Sequence, residues 1–373
     1  MSTLTVTATV TDSTGATGSA TASCTIGESF VLGQTEPTAA NTGLNVLGLT
    51  EDDIPAARIV NGDLTVNDAW VTANGSSPTR WWVKGFLNFT ATTPVKFYNS
   101  VFEGRTFTGT APREAVIRAR NGSAPVTATI SFENCLLKVV QPDVGISTAA
   151  GERLGSFYRC DISGGSDLID YWAPAVPDVL GCYLHDYSFW ANDPKHTNDG
   201  SHPGWSHNDL IQNSGSDGAD VRGSALWCYA APGVGDVAVL EAGGFPDRDW
   251  GTSIMLTPST SRITGFMAEE NWVYGGQCPI CLPLQSGGSF NNGNSWTVRN
   301  NRHGDLPHKY GSNSRQLIRW GNTMGPAAGS CSGSVFLSTP GVPAALRGTA
   351  LPAAVLQGNN DSSGQLMVRV LQT

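Results

Sequence analysis

Phe157-Tyr-Arg-Cys-Asp-Ile162 and Val179-Leu-Gly-Cys-Tyr-Leu184 present one shape twice, with Cys160 and Cys182 22 positions apart. The shape is apolar, any, polar, Asn or Cys, any, apolar. It recurs in Val95-Lys-Phe-Tyr-Asn-Ser-Val-Phe102, Thr129-Ile-Ser-Phe-Glu-Asn-Cys-Leu-Leu137, Met267-Ala-Glu-Glu-Asn-Trp-Val-Tyr274 and Trp296-Thr-Val-Arg-Asn-Asn301. Aligned on the central residue, Asn134 to Cys160 spans 26 positions and Asn271 to Asn300 spans 29. A unit of this length that contains short strands and no helix buries its apolar face only against its neighbours, which is the logic of a solenoid. The expected fold is therefore all-β, a parallel β-helix. Equivalent positions then stack into ladders along the axis, and an inward Asn or a small Cys thiol fits the same corner.

Composition agrees. The 373 residues include 44 Gly and 21 Pro but only 14% charged residues, a mix that favours strands and turns over helices. A formal net charge of -9 without a basic run argues against nucleic acid as a partner. No apolar run of eighteen residues is present to span a bilayer, so no membrane partner is expected. The first residues, Met-Ser-Thr-Leu-Thr-Val-Thr, have neither a basic n-region nor an apolar run, which sets the expectation of folding in a cytosol. The eight cysteines are spread along the chain and read mostly as buried thiols.

Three regions are expected. In residues 1–27, Leu4, Val6, Ala8 and Val10 alternate with threonines, and after Asp-Ser-Thr-Gly a second alternating run reaches Ile26, which describes a β-hairpin. Two strands alone are marginally stable, so this hairpin should dock on the main body or on another protein. Residues 28–325 carry the rungs. Residues 326–373 lose the rung pattern and read as a C-terminal cap or docking segment, with Leu366–Leu371 as a final strand.

Ala39-Ala-Asn-Thr-Gly-Leu44, Gly62-Asp-Leu-Thr-Val66, the rung at Asn99, Tyr158-Arg-Cys-Asp-Ile-Ser163, Tyr183-Leu-His-Asp186 and His207-Asn-Asp-Leu-Ile-Gln212 together resemble the right-handed parallel β-helix family, pectate-lyase-like, in its actinobacterial and actinobacteriophage branch. Leu210 stands where the family form of the last motif has Gly. The resemblance implies a phage minor tail protein in the virion, made in the host cytoplasm. Its partners would be other tail proteins, reached through the hairpin, and host surface polysaccharide. Fibres and spikes of this kind are often homotrimers, so a homotrimer is one assembly it implies.

The densest polar stretch is Asn198-Asp-Gly-Ser-His-Pro-Gly-Trp-Ser-His-Asn-Asp-Leu-Ile-Gln212. Its end, Ser206–Gln212, reads as a rung with Leu210 or Ile211 inward, and Asn198–Trp205 reads as an inserted loop. His185 and His207 lie 22 apart, the Cys160–Cys182 step, so His185, Asp186, His207 and Asp209 are expected to stack on one face. A carboxylate base and an imidazole acid there suit a polysaccharide lyase or hydrolase. The same residues suit a hydrogen-bonded ladder that fixes the loop, and this reading stands ahead of the catalytic one. Trp190, His196, Asp199, His202 and Trp205 are the candidate ligand contacts, since indole faces stack on sugar rings. No metal spacing such as His-Glu-x-x-His is present, Cys278 and Cys281 form a lone Cys-x-x-Cys, and no nucleotide or cofactor fingerprint occurs, so neither metal nor cofactor is expected.

Overall fold

The computed structural model describes residues 2–11, 13–26, 30–105, 115–119, 128–141, 148–152, 154–171, 178–194, 197, 202–213, 218–256, 263–277, 279–281, 296–305, 309–310, 314–315, 318–319, 329–340, 342 and 344–351. The body is a parallel β-helix whose coils contribute in turn to three sheets. The first sheet has eight strands, from Val95–Tyr98 through Leu154–Tyr158 and Phe266–Glu269 to Gly329–Ser332. The second has ten, from Ile59–Val60 through Tyr183–His185, Ala225–Cys228 and Trp272–Gly275 to Val335–Phe336. The third has nine, from Leu64–Val66 through Asp167–Tyr171, Asp209–Asn213 and Thr252–Leu256 to Ile318–Arg319.

Inward side chains stack in register. Phe97, Phe132 and Phe157 lie above one another with ring centroids 6.2 and 5.2 Å apart. Ile169, Ile211 and Ile254 do the same in the third sheet, so Ile211 is the inward residue of its rung. A parallel strand buried on its inner face aligns like side chains coil upon coil, and dispersion between them holds the column.

The corner between the first and second sheets explains the repeated motif and corrects its frame. Asn99, Asn134, Arg159, Glu270 and Asn300 all have φ between 49° and 59°, and Gly181, Gly223 and Gly333 occupy the same left-handed position. Asn and Gly tolerate this region best. The residue after it turns inward: Ser100, Cys135, Cys160, Cys182, Ser224, Asn271, Asn301 and Ser334 are all buried. Asn134 and Asn300 are thus equivalent to Arg159, one position before the ladder, and the alignment of Asn134 with Cys160 was one residue out of frame.

Each ladder residue satisfies the backbone of the preceding coil. The amides of Cys160, Cys182, Ser224, Asn271 and Asn301 donate to Cys182 Sγ, Ser224 Oγ, Asn271 Oδ1, Asn301 Oδ1 and Ser334 Oγ, at separations of 22, 42, 47, 30 and 33 residues. Ser, Cys and Asn share a short side chain ending in an acceptor, which is all this corner requires. Cys135, Cys160, Cys182 and Cys228 are buried free thiols, as expected, whereas Cys281 is in a disulfide.

The two ends depart from the simple solenoid. Ser2–Thr11 and Thr17–Ile26 pair antiparallel over their whole length, and among the described strands neither joins another. Residues 30–58 are not rungs but a strap across the outside of the second sheet. It runs from Phe30 beside Arg159, through Gly33, whose carbonyl accepts from Arg302, back past Gly43, whose amide donates to the Arg159 carbonyl, to Ile59 beside Trp82. At Gly181 and Gly223 a Cβ would run into Phe30 or Gly33, at 2.7 and 2.5 Å, so the strap adds a second reason for glycine there. Within the segment expected as a cap, Gly329–Ser332 and Val335–Phe336 still extend the first and second sheets. The chain then folds back, with the amides of Phe336 and Leu351 donating to Thr349 and Ser334. Leu366–Leu371 lies outside the described residues.

Candidate functional site

The cluster expected as one site is divided between two sheets. His185 ends Tyr183–His185 in the second sheet, with Leu184 inward and both flanking side chains outward. Its lateral partner on the preceding coil is Ser163, and Leu184 is paired with Leu226, which brings the following residue, Trp227, beside His185 on the next coil. His207 does not stack on His185. It is exposed and precedes Asp209–Asn213 of the third sheet. The correction has a simple cause: 22 residues is the length of one particular coil, and the next corner step is 42.

Asn208 and Asp209 face inward. Asn208 is buried, donates to the carbonyls of Ser166 and Ser188, and accepts from Ser206 Oγ. Asp209 is buried and its amide donates to Asp167 Oδ1. Burial, reinforced by the negative charge of Asp170, pushes its carboxyl up to about 7. Asn208 and Asp209 thus tie this rung to its neighbours, without the expected stack of His185, Asp186, His207 and Asp209.

The tryptophan of the inserted loop also turns inward. Trp205 is buried between Phe189, His202 and Trp250, with centroids 5.0, 4.1 and 5.0 Å away. The helix Val237–Ala242 closes over it, and a Cβ at Gly243 would stand 2.5 Å from its ring. Trp205 therefore plugs a side lobe and is not a surface platform. Trp190 is partly buried, its amide donating to Ser206 Oγ. His202 stacks on Trp205, and His196 and Asp199 lie outside the described residues.

The outer face of the second sheet assembles a different group. Three residues after the ladder positions Cys182, Ser224 and Asn271 come His185, Trp227 and Tyr274, and they form one outward column. Trp227 is 36% exposed, and among the described residues it is the only aromatic among the large exposed apolar side chains. Tyr274 lies 4.5 Å from it at 31°, Tyr229 at 6.2 Å and Tyr183 at 6.4 Å. Gly304 on the following coil leaves room for the Tyr274 ring, which a Cβ there would strike.

Carboxylates rim these rings. Tyr274 Oη donates to Glu36 of the strap at 2.7 Å, and Tyr229 Oη donates to Asp305. Burial raises both carboxyls above their ordinary range. At the other end, His185 stacks on Tyr183 at 4.1 Å, with Nδ1 2.7 Å from Asp186 and Nε2 3.0 Å from Asp161. Burial opposes its charge, but the hydrogen bonds to Asp161 and Asp186 outweigh it and push the imidazole up to about 9. At neutral pH it is an imidazolium with both N–H groups committed. Neither nitrogen is left to serve as the acid of a lyase or hydrolase.

Asp161, Tyr183, Tyr229, Tyr274, Glu36 and Asp305 escaped the reading of the sequence as site residues. Tyr274 stands three beyond the ladder residue Asn271, as His185 does beyond Cys182, whereas Asp161 and Tyr183 stand one beyond Cys160 and Cys182, Tyr229 five beyond Ser224 and Asp305 four beyond Asn301, so no single offset marks them. Glu36 belongs to no rung, because it arrives on the strap. Among the described residues no group of three or more His, Cys, Asp or Glu is placed to hold a metal ion, and no helix is long and apolar enough to cross a membrane. No family model, curated protein or solved structure matches the chain. The fold defines a parallel β-helix protein with an aromatic surface rimmed by carboxylates.

Proposed function

We propose that this chain contacts polysaccharide through the outer face of its second sheet, as a component of a phage tail. The observation that carries the reading is the exposed indole of Trp227, supported by Tyr274, Tyr229 and Tyr183 and ringed by hydrogen-bonding groups. An apolar ring face with polar groups at its edge is complementary to a sugar ring, which offers C–H groups on its faces and hydroxyls around them. A flat sheet built coil on coil extends such a surface along an axis, matching a linear polymer. The tail assignment rests on the resemblance of the rungs and on a hairpin paired only with itself among the described strands.

Affinity electrophoresis through gels cast with envelope polysaccharides of bacterial hosts tests the platform. Retardation lost in Trp227→Ala supports it, and retardation by none of the polymers refutes it. Removing residues 1–27 tests the tail role, because the shortened chain should stay folded yet fail to join particles.

A second reading, a polysaccharide-degrading enzyme, is favoured by one observation: two carboxyls raised by burial, Glu36 on Tyr274 and Asp305 on Tyr229, the two tyrosines that lie beside Trp227. A raised carboxyl is the form that protonates a leaving oxygen in glycoside hydrolysis. Release of reducing ends that disappears in Glu36→Gln or Asp305→Asn would establish this second reading.

A further inference from the structure

We infer that the glycan taken by this platform carries no acidic groups, with amino-bearing sugars favoured over neutral ones. The inference rests on the glycan reading above and assigns its substrate class. It follows from the balance of charges at the surface.

The carboxylates are Glu36, Asp161, Asp186 and Asp305. Asp186 is half exposed, and Glu36 and Asp305 accept their tyrosine hydroxyls while remaining partly exposed. Among the described residues the nearby cations are His185, Arg302 and Arg248, each with hydrogen-bond partners. His185 gives both nitrogens to Asp161 and Asp186. Arg302 directs its two terminal nitrogens to the carbonyls of Glu270 and Gly33, with its plane 4.3 Å from the Trp272 ring. Arg248 donates to the Ala230 carbonyl.

A uronic acid or phosphodiester polymer laid on Trp227 would meet four carboxylates against three cations, with His185 already paired to two of the carboxylates and Arg302 and Arg248 hydrogen-bonded to backbone carbonyls. An ammonium on a hexosamine would meet carboxylate oxygens and the exposed face of Trp227, both attractive to a cation. Neutral rings keep the stacking and lose only the charge term.

The test titrates the full-length chain with three hexasaccharides of similar length: chitosan hexamer, cellohexaose and hexagalacturonate. Chitosan hexamer should bind most tightly, and hexagalacturonate should bind about tenfold or more weakly than cellohexaose at low salt. Raising the salt should narrow the spread as the charges are screened. In the double variant Glu36→Gln, Asp305→Asn, which keeps acceptors for both tyrosines, the advantage of chitosan over cellohexaose should shrink several-fold. Trp227→Ala should weaken every probe that binds.

Hexagalacturonate binding as tightly as cellohexaose, with loss in Trp227→Ala, would overturn the charge assignment and leave the platform standing. An unchanged chitosan advantage in the double variant would overturn it as well. Binding by no probe, or binding indifferent to Trp227, would instead remove the platform itself, and the charge preference with it.

Discussion

His185 and His303 occupy the same sheet on opposite sides of it. His185 points outward, meets two carboxylates and is pushed up to about 9. His303 points inward between Val273 and Phe336 of the neighbouring coils, where neither nitrogen has a hydrogen-bond partner, and burial pushes it down to about 4. One residue type thus carries a charge at neutral pH on one side of a strand and is neutral on the other. On this scaffold the side of the strand decides the chemistry of a polar residue before its identity does.

The inward side should be the more sensitive to substitution. Asn208→Leu leaves the carbonyls of Ser166 and Ser188 and the Ser206 hydroxyl without their partner, and should cost about 3 kcal/mol in denaturant unfolding. A loss as small as that of an outward substitution would break the comparison.

His303→Leu should move the other way, gaining about 1 to 2 kcal/mol at neutral pH, because it removes an unpaired polar group from the core. The native protein's acid limb sharpens the point. A histidine depressed on folding contributes stability that is present above its unfolded value of 6.5 and is lost as pH falls through about 4. The variant should lack that part of the acid transition, read by thermal melts across this window.

His185→Gln should cost about 1 kcal/mol near pH 6, in keeping with a partly exposed ion pair. Its pH signature has the opposite sign. A histidine raised on folding stabilises fully below 6.5, and that contribution is lost as pH rises through about 9. Melts of the variant should therefore be flatter than wild type on the alkaline side, and flatter also on the acid side, where His185 no longer holds the Asp186 carboxyl down.

Trp227→Ala should change stability least, by less than about 1 kcal/mol, because the ring is partly exposed and is not among the buried core residues. Together with lost glycan binding, that outcome would mark the outer column as free to serve function.

The polar stretch Asn198–Gln212 shows how far the sequence could be followed. Its end was recognisable as a rung, since Asp209-Leu-Ile-Gln-Asn213 carries the apolar pattern of a strand, and the inward Ile211 confirms it. Its histidine was not placed correctly, because coils run from 22 to 47 residues between ladder positions and spacing alone cannot say which residues become neighbours. Trp205 was read as a surface contact because a tryptophan in a polar loop looks exposed. The ring cluster of Phe189, His202 and Trp250 that buries it is drawn from three segments of the chain.

By itself the sequence determined the class of fold, through the recurrence of a short apolar strand, a turn residue and a small acceptor. Each coil must satisfy the next one's neighbour locally, and local requirements leave local patterns. The tertiary structure alone decided the site. Loop insertions shift which residues are stacked, the strap carries Glu36 to Tyr274 across a separation of 238 residues, and Gly304 makes room for a ring on the preceding coil. Contacts made by stacking and by a returning segment leave no periodic trace, since their geometry depends on the accumulated length of everything between them.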